Sequence, residues 1–315
     1  MKLEGIHHIT AITGDAQGNV DFYAGLLGLR LVKKTVNQDD PTVYHLFYAD
    51  EDGSPGADLT FFEYPGAARG TAGAGMVHRI GWRLGSPEAL DFWAQRFFEH
   101  GVQSYRDEGP PQSGGRLRFE DPEGLGHSLI VSSASDAPLI ADSPEIPREL
   151  ALQGFAGVRA YASDPAASER LLRDGLGFTG GADGRFEVRG EHRGGFYTYD
   201  APPPSYPQPG AGTVHHVAFA STLADHEAWR ERVVAYGGHP TPVIDRYYFR
   251  SIYFREPSGV LFEIATIGPG FATDEQPEHL GERLSLPPFL EGRRTEIEPL
   301  LTPITNPRTS VPAGP

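Results

Sequence analysis

The chain has no cysteine among its 315 residues. That excludes disulfides, thiolate metal ligands and a cysteine nucleophile, though it leaves the compartment open. Basic residues are scarce: 27 Lys and Arg stand against 42 Asp and Glu, for a net charge of −15. Such a balance speaks against binding a phosphate backbone, so no nucleic-acid partner is expected. A small neutral or locally steered substrate fits better. No run approaches the roughly 18 apolar residues of a membrane span. The opening residues, Met1 to Ile6, lack the apolar core of a secretory signal. The expectation is a cytoplasmic protein with no membrane partner; a homo-oligomer is compatible with everything so far. Hydrophobic residues are not scarce, at 39% of the chain. A chain of this length exceeds what one core usually serves, so two domains are expected.

An internal repeat organises the sequence. Four segments share one pattern of strand, amphipathic helix, then further strands. The first begins at His8 to Thr13, with Asp15 as a helix cap, Val20, Tyr23, Leu26 and Leu27 as the apolar helix face, and Gly28 as its stop. Unit two begins at His78 to Leu84; Ser86 and Pro87 start its helix and Gly101 ends it. Unit three runs from Gly157 through Tyr161, with a helix between Asp164 and Gly175. The fourth begins at His216, places Trp229 and Val233 on its helix, and closes on Val260 to Ala265. Four units predict two pairs, each forming a domain with a curved sheet around a cavity. The predicted boundaries are 1–135 and 150–267, joined by a linker rich in Pro, Asp and Ser. The remainder, 268–315, is Pro-rich and reads as an arm packed on the body.

Two histidine pairs stand at equivalent places. Ile6-His7-His8-Ile9-Thr10 opens unit one, and Val214-His215-His216-Val217-Ala218 opens unit four. Glu263 lies inside the apolar strand from Val260 to Ala265. A buried unpaired carboxylate is costly, so Glu263 needs a partner, and a metal is the obvious one. A lone histidine on a strand is most often structural. Two histidines and a buried glutamate at matching repeat positions are the two-imidazole, one-carboxylate set of non-haem Fe(II) oxygenases. Strand alternation puts His8 and Thr10 on one face and turns His7 and His215 to the opposite faces. The slot of His8 is Gly157 in unit three and His78 in unit two; the slot of Glu263 is Ser128 in unit two. His78 therefore reads as structural. Glu63, a conceivable fourth ligand, reads as a solvated strand end. His45, His127, His192, His226, His239 and His279 have no partner evident from sequence. Between Asp245 and Arg255 the chain is dense in Tyr and Arg. An Arg there can hold an anion and a Tyr can donate a proton, which suits a phenolic substrate.

At these residues the chain resembles the vicinal oxygen chelate superfamily. It is most similar to its ring-cleaving dioxygenases of the hydroquinone type, which include chlorohydroquinone dioxygenases. The shared motifs are His-His-Ile-Thr-x-x-Thr-Gly-Asp at 7–15, Tyr-His-Leu-Phe-Tyr-Ala-Asp at 44–50, Gly-x-Pro-Gly at 53–56 and Val-His-His-x-Ala-Phe-Ala at 214–220. The stretch from Arg246 to Glu263 and the tail Leu-Gly-Glu-Arg-Leu at 280–284 complete them. The resemblance covers nearly the whole chain. It implies an α+β fold of four βαβββ modules in two domains, with curved mixed sheets around a metal-binding cavity. It implies mononuclear Fe(II), with Mn or Zn as misloaded substitutes, held by His8, His216 and Glu263. Thr10, Arg246 and Tyr253 are carried over as residues near the metal or substrate, and His7 and His215 match family positions as well. The implied reaction is ring opening of a hydroquinone or substituted dihydroxybenzene by O2. Two rivals stay open. A glyoxalase-like metal-dependent lyase would need Glu63 as a fourth ligand. A non-catalytic protein would use the same fold to hold an aromatic ligand.

Overall fold

The computed structural model describes residues 1–107, 115–181 and 183–308. The first unit forms β1 (Ile6–Thr13), α1 (Ala16–Val20) extended by a π-helical turn (Asp21–Leu26), β2 (Arg30–Val36), β3 (Tyr44–Ala49) and β4 (Asp58–Glu63). Unit two forms β5 (Met76–Leu84), α2 (Pro87–Glu99), β6 (Ser104–Asp107), β7 (Arg116–Glu120) and β8 (Gly126–Val131). Unit three forms β9 (Phe155–Tyr161), α3 (Ala166–Arg170), β10 (Thr179–Gly180), β11 (Arg185–Arg189) and β12 (Gly194–Asp200). The fourth forms β13 (Val214–Ser221), α4 (His226–Ala235), β14 (Ile244–Asp245), β15 (Arg250–Arg255) and β16 (Leu261–Thr266). Each unit is a βαβββ module. Asp15 caps α1 by accepting from the Gly18 amide, and Ser86 caps α2 by accepting from that of Ala89. The buried face of α2 includes Leu90, Trp93 and Phe97, spaced as a helix stripe requires.

The modules form two eight-stranded mixed sheets. One runs β14-β15-β16-β13-β1-β4-β3-β2 and the other β10-β11-β12-β9-β5-β8-β7-β6. Each sheet therefore takes one module from each half of the chain. Within every module the first and last strands are parallel neighbours, because a helix carries the chain back across the sheet. The modules join through antiparallel pairs, β1 with β13 and β5 with β9. Modules adjacent in sequence pack through aromatic side chains instead. Tyr23 meets His127 and Phe22 meets Phe119 between units one and two; Phe219 and Phe262 meet Tyr197 between units three and four. Among the described residues, no helix is long and apolar enough to cross a membrane.

Candidate metal centre

The centre of the first sheet gathers the predicted set. Thr10 on β1 faces His216 on β13, and Ala218 on β13 faces Glu263 on β16. His8, His216 and Glu263 are all buried, at 2%, 4% and 0% exposure. His8 Nε2 lies 3.2 Å from His216 Nε2. Glu263 Oε2 lies 3.1 Å from His8 Nε2 and 2.9 Å from His216 Nε2. Even so, neither oxygen of Glu263 makes a hydrogen bond of acceptable geometry. Burial pushes the Glu263 carboxyl up, but the facing His8 and His216 outweigh it and hold it well below the usual range. His216 is itself pushed down by burial, toward the neutral ring. A buried carboxylate with no hydrogen bond of sound geometry calls for a cation.

The spacing of the three atoms suits one ion. Ligands about 2.1 Å from a metal and at right angles lie about 3.0 Å apart; a tetrahedral set would lie about 3.4 Å apart. The observed edges fall near the first value. A metal held facially by these two histidines and one carboxylate would keep positions open for small ligands.

His7 and His215 depart from the strand alternation expected of them. The β1–β13 ladder slips its register between Ile6 and Ile9 and again between Thr10 and Ala11. Such bulges let consecutive side chains crowd to one side. His7 Nδ1 lies 2.9 Å from His8 Nδ1, and His215 Nδ1 lies 2.8 Å from His216 Nδ1. The contacts assign tautomers. His7 Nε2 is 3.2 Å from the Thr266 carbonyl, which only accepts. Burial, reinforced by His8, pushes His7 down to about 3, so its ring is neutral. Its one proton sits on Nε2, and its bare Nδ1 accepts from His8 Nδ1. With Nδ1 of His8 turned to His7, Nε2 is the nitrogen left to face a metal.

A cavity of about 40 Å³ opens beside His8 and His216. His8, His216, Arg246 and Tyr253 line it; His7, His215 and Thr10 do not. The His216 and Tyr253 rings meet edge to face at 5.6 Å, and the Arg246 guanidinium lies 5.6 Å from the Tyr253 ring centre. Burial and the Glu263 charge push the Tyr253 phenol up, so it keeps its proton. Arg246 makes two bonds to Asp39, at 3.0 and 2.9 Å, and its carbonyl accepts from Gln38 at 2.7 Å. Asp39 and Gln38 belong to the β2–β3 connection, so a clasp joins units one and four at the cavity wall.

Sequence reasoning missed Gln38, Asp39 and His45. His45 lines the cavity and lies 2.9 Å from Thr60 Oγ1, which lies 2.8 Å from Thr10 Oγ1. Burial holds the His45 ring neutral. The signal was available: His45 and Phe47 alternate with Leu46 and Tyr48, and both face the cavity. Thr10 acts behind the wall, through Thr60.

Other residues fall away from the cavity. His78 bonds Asp200 at 2.8 Å and stacks on Tyr161. Glu63, expected to be solvated, is 2% exposed and accepts from Thr302 of the C-terminal arm. It follows Phe62, a cavity residue, so strand alternation turns it to the opposite face. The expectation failed because the arm covers the strand end. His127 accepts from Trp82 at 3.1 Å and meets Tyr23 at 3.0 Å, and His226 meets Ser221 at 3.0 Å. Larger hollows of about 790 and 630 Å³ lie elsewhere, and neither holds the three ligating atoms.

Comparison with known proteins bears on this site. The model of the Glyoxalase/Bleomycin resistance protein/Dioxygenase superfamily matches residues 5–127 and 154–264. The chain is 40% identical to "Putative ring-cleaving dioxygenase MhqA" of Bacillus subtilis (strain 168), over 96% of this chain and 100% of that one. It is 34% identical to the "Chlorohydroquinone/hydroquinone 1,2-dioxygenase" of Sphingobium indicum, over 94% of this chain and 95% of that one. A crystal structure of a "putative dioxygenase" from Bacillus subtilis superposes with a TM-score of 0.90 at 39% identity, covering 97% of this chain and 98% of that one.

Proposed function

Since the chain belongs to the Glyoxalase/Bleomycin resistance protein/Dioxygenase superfamily, we propose that it is an Fe(II)-dependent dioxygenase that opens the ring of a hydroquinone or substituted dihydroxybenzene with O2. The observation that carries the reading is the convergence of His8, His216 and Glu263 on one point beside an aromatic-walled cavity. These three residues would hold the iron. Bound there, Fe(II) would supply Lewis acidity toward a phenolic oxygen and a redox route to O2. The relatives whose printed names include ring cleavage support the same choice. The lyase alternative is weakened because Glu63 faces away from the cavity.

The chain's own groups have definable parts. Tyr253, protonated and half-buried against His216, is placed to donate a proton to an oxygen of the substrate. Arg246 carries the positive charge nearest the ring site and orients a phenolate or a distal hydroxyl. His45, neutral and tied to Thr60, offers a further hydrogen bond on the opposite wall. Phe47, Phe62 and Phe249 supply apolar surface and exclude water.

A hydroquinone brings one hydroxyl to the metal, and its second lies across the ring. That second group needs a hydrogen-bond partner once buried, and Arg246, Tyr253 and His45 are candidates on the cavity wall. Para-dihydroxybenzenes are therefore expected to turn over better than catechols. Oxygen uptake after anaerobic iron loading, with hydroquinone and catechol side by side, tests this. Tyr253→Phe removes only a hydroxyl and should lower kcat more than it raises KM. A clear preference for catechol, or an unimpaired Tyr253→Phe enzyme, would overturn the assignment.

A further inference from the structure

The second sheet has a concave face of its own, with a cavity of about 630 Å³. That lies within the roughly 300–1,000 Å³ of small-molecule sites. Arg79, Arg83, Arg116, Arg159, Arg185 and Arg189 line it, against one lining carboxylate, Glu187. Such a concentration of guanidinium is out of keeping with a chain of net charge −15. Three carboxylates at the edge neutralise part of it. Asp136 pairs with Arg83 and Arg189, Asp200 takes Arg159 through both oxygens, and Asp107 lies 3.5 Å from Arg116. Six cations thus face four carboxylates.

The surplus rests on two residues. Among the described residues, neither Arg79 nor Arg185 has a carboxylate partner. Arg79 donates to the His127 carbonyl at 2.9 Å, and Arg185 lies 4.9 Å over the Phe196 ring. Arg79 also stands directly opposite Arg159 in the β5–β9 ladder. Like charges opposed on antiparallel strands destabilise the sheet. Burial, and then the neighbouring Arg118, disfavour the Arg79 cation. An anion between the strands would relieve both effects.

The same cavity has an apolar side. Gly81 and Gly157 face each other at the junction of the two modules. A Cβ on Gly81 would stand 3.0 Å from Phe196 Cζ, so its absence lets that ring lie on the floor beside Ile130. Of the repeat slots that hold His8 and Glu263 in the first sheet, Gly157 and Ser128 offer no imidazole or carboxylate here and His78 is bonded to Asp200, so among the described residues no metal set lines this cavity. We propose that this cavity is a binding site for an aromatic carboxylate, its ring against Phe196 and Arg185 and its carboxylate at Arg79 and Arg159.

Isothermal titration of the whole protein with benzoate tests this, using wild type, Arg79→Gln, Arg185→Gln and His216→Ala. Benzoate should bind wild type and His216→Ala alike. Each arginine substitution should weaken it about tenfold, Arg79→Gln by loss of one charge-assisted contact and Arg185→Gln by loss of the cation stacked on the ring. Added salt should weaken binding, and benzyl alcohol, which keeps the ring without the charge, should not compete. If Arg79→Gln misfolds, Arg79→Lys keeps the cation and should retain most of the affinity. The proposal is overturned if millimolar benzoate gives no binding, or if both arginine variants bind as wild type does. Loss of binding in His216→Ala would place the benzoate in the metal site and overturn it too. Inorganic phosphate displacing benzoate as well as benzoate displaces itself would overturn the aromatic part. The readout needs neither iron nor turnover, so its outcome is separate from that of the dioxygenase reading.

Discussion

Imidazole binds a metal through a nitrogen that carries no proton, so the partner of its other nitrogen decides whether it can serve. The Thr266 carbonyl sets the tautomer of His7, and His7 sets that of His8. This leads to a graded expectation. His8→Ala, His216→Ala or Glu263→Ala should each abolish turnover and strip the metal. His7→Ala should keep all three ligands yet weaken metal retention by about 10- to 100-fold, as loss of such partners typically does. His7→Gln should recover much of it, because one amide group can accept from His8 and donate to Thr266. His78→Ala should retain metal as wild type does. Metal content after dialysis against a graded chelator series checks the set; iron kept by His7→Ala but lost by His78→Ala would refute the arrangement. The identities of His8, His216 and Glu263 were readable from the repeat, since equivalent strands repeat equivalent side chains. The placement of His7 and His215 was not. A bulge shifts one residue of register without requiring any particular residue type, so alternation gave no sign that each ring would meet its neighbour's Nδ1.

At the scale of elements, the four βαβββ modules were legible because caps, helix stripes and strand runs recur in order. How the linker between units two and three is fastened was not legible, because the fastening depends on residues far apart in sequence. Asp136 of that linker is the fastener. Its side chain is 4% exposed and bonds Arg83, Arg189 and the Gly194 amide. Burial pushes the Asp136 carboxyl up, but Arg189, Arg83 and that amide hold it well below the usual carboxylate range. The folded pKa is thus depressed below the unfolded value of about 3.9. The resulting stability is present above that value and is lost as pH falls below about 4, through the folded pKa. Asp136→Asn should cost about 3–5 kcal/mol at neutral pH, since it leaves Arg83 buried without its carboxylate. It should also flatten the acid limb of the stability curve. Urea unfolding at a series of pH values reads both effects. A variant with the wild-type midpoint at pH 7, or with an acid limb as steep as wild type, would show that the linker is held by other means.

At the scale of the whole molecule, His8, His216 and Glu263 converge because module one meets module four, and that pairing is not written in the repeat itself. Only the demand that His8 reach His216 pointed to it. The C-terminal arm binds onto the outer part of the same sheet. Ser285 donates to the Lys34 carbonyl at 2.9 Å, extending the ladder past the edge strand β2. Gly281 lies so close to Leu31 that a Cβ would stand 1.9 Å from its carbonyl oxygen, so only glycine fits there. Covered at Lys34, that edge offers less free backbone to another chain. Lys33 fixes the arm from within. Its ammonium group is fully buried, lies 2.7 Å from Asp274, and also bonds Glu275. Tyr248, a wall residue of the metal-site cavity, donates to the same Asp274 at 2.9 Å. One cation therefore ties the arm to the sheet and, through Asp274, to the wall of the site. Lys33→Met keeps the length of the stem and removes the charge, which strands two carboxylates against the sheet. Breaking such a buried set by removing one partner costs about 3–5 kcal/mol. The loss should begin with release of the arm, so limited proteolysis should cut between 268 and 308 before it cuts the strands. Release would free the Tyr248 wall as well, and KM for the aromatic substrate should rise more than kcat falls. Wild-type urea stability in Lys33→Met, or an arm as resistant to protease as before, would show that the apolar contacts of Phe271 and Leu280 hold the arm without Lys33.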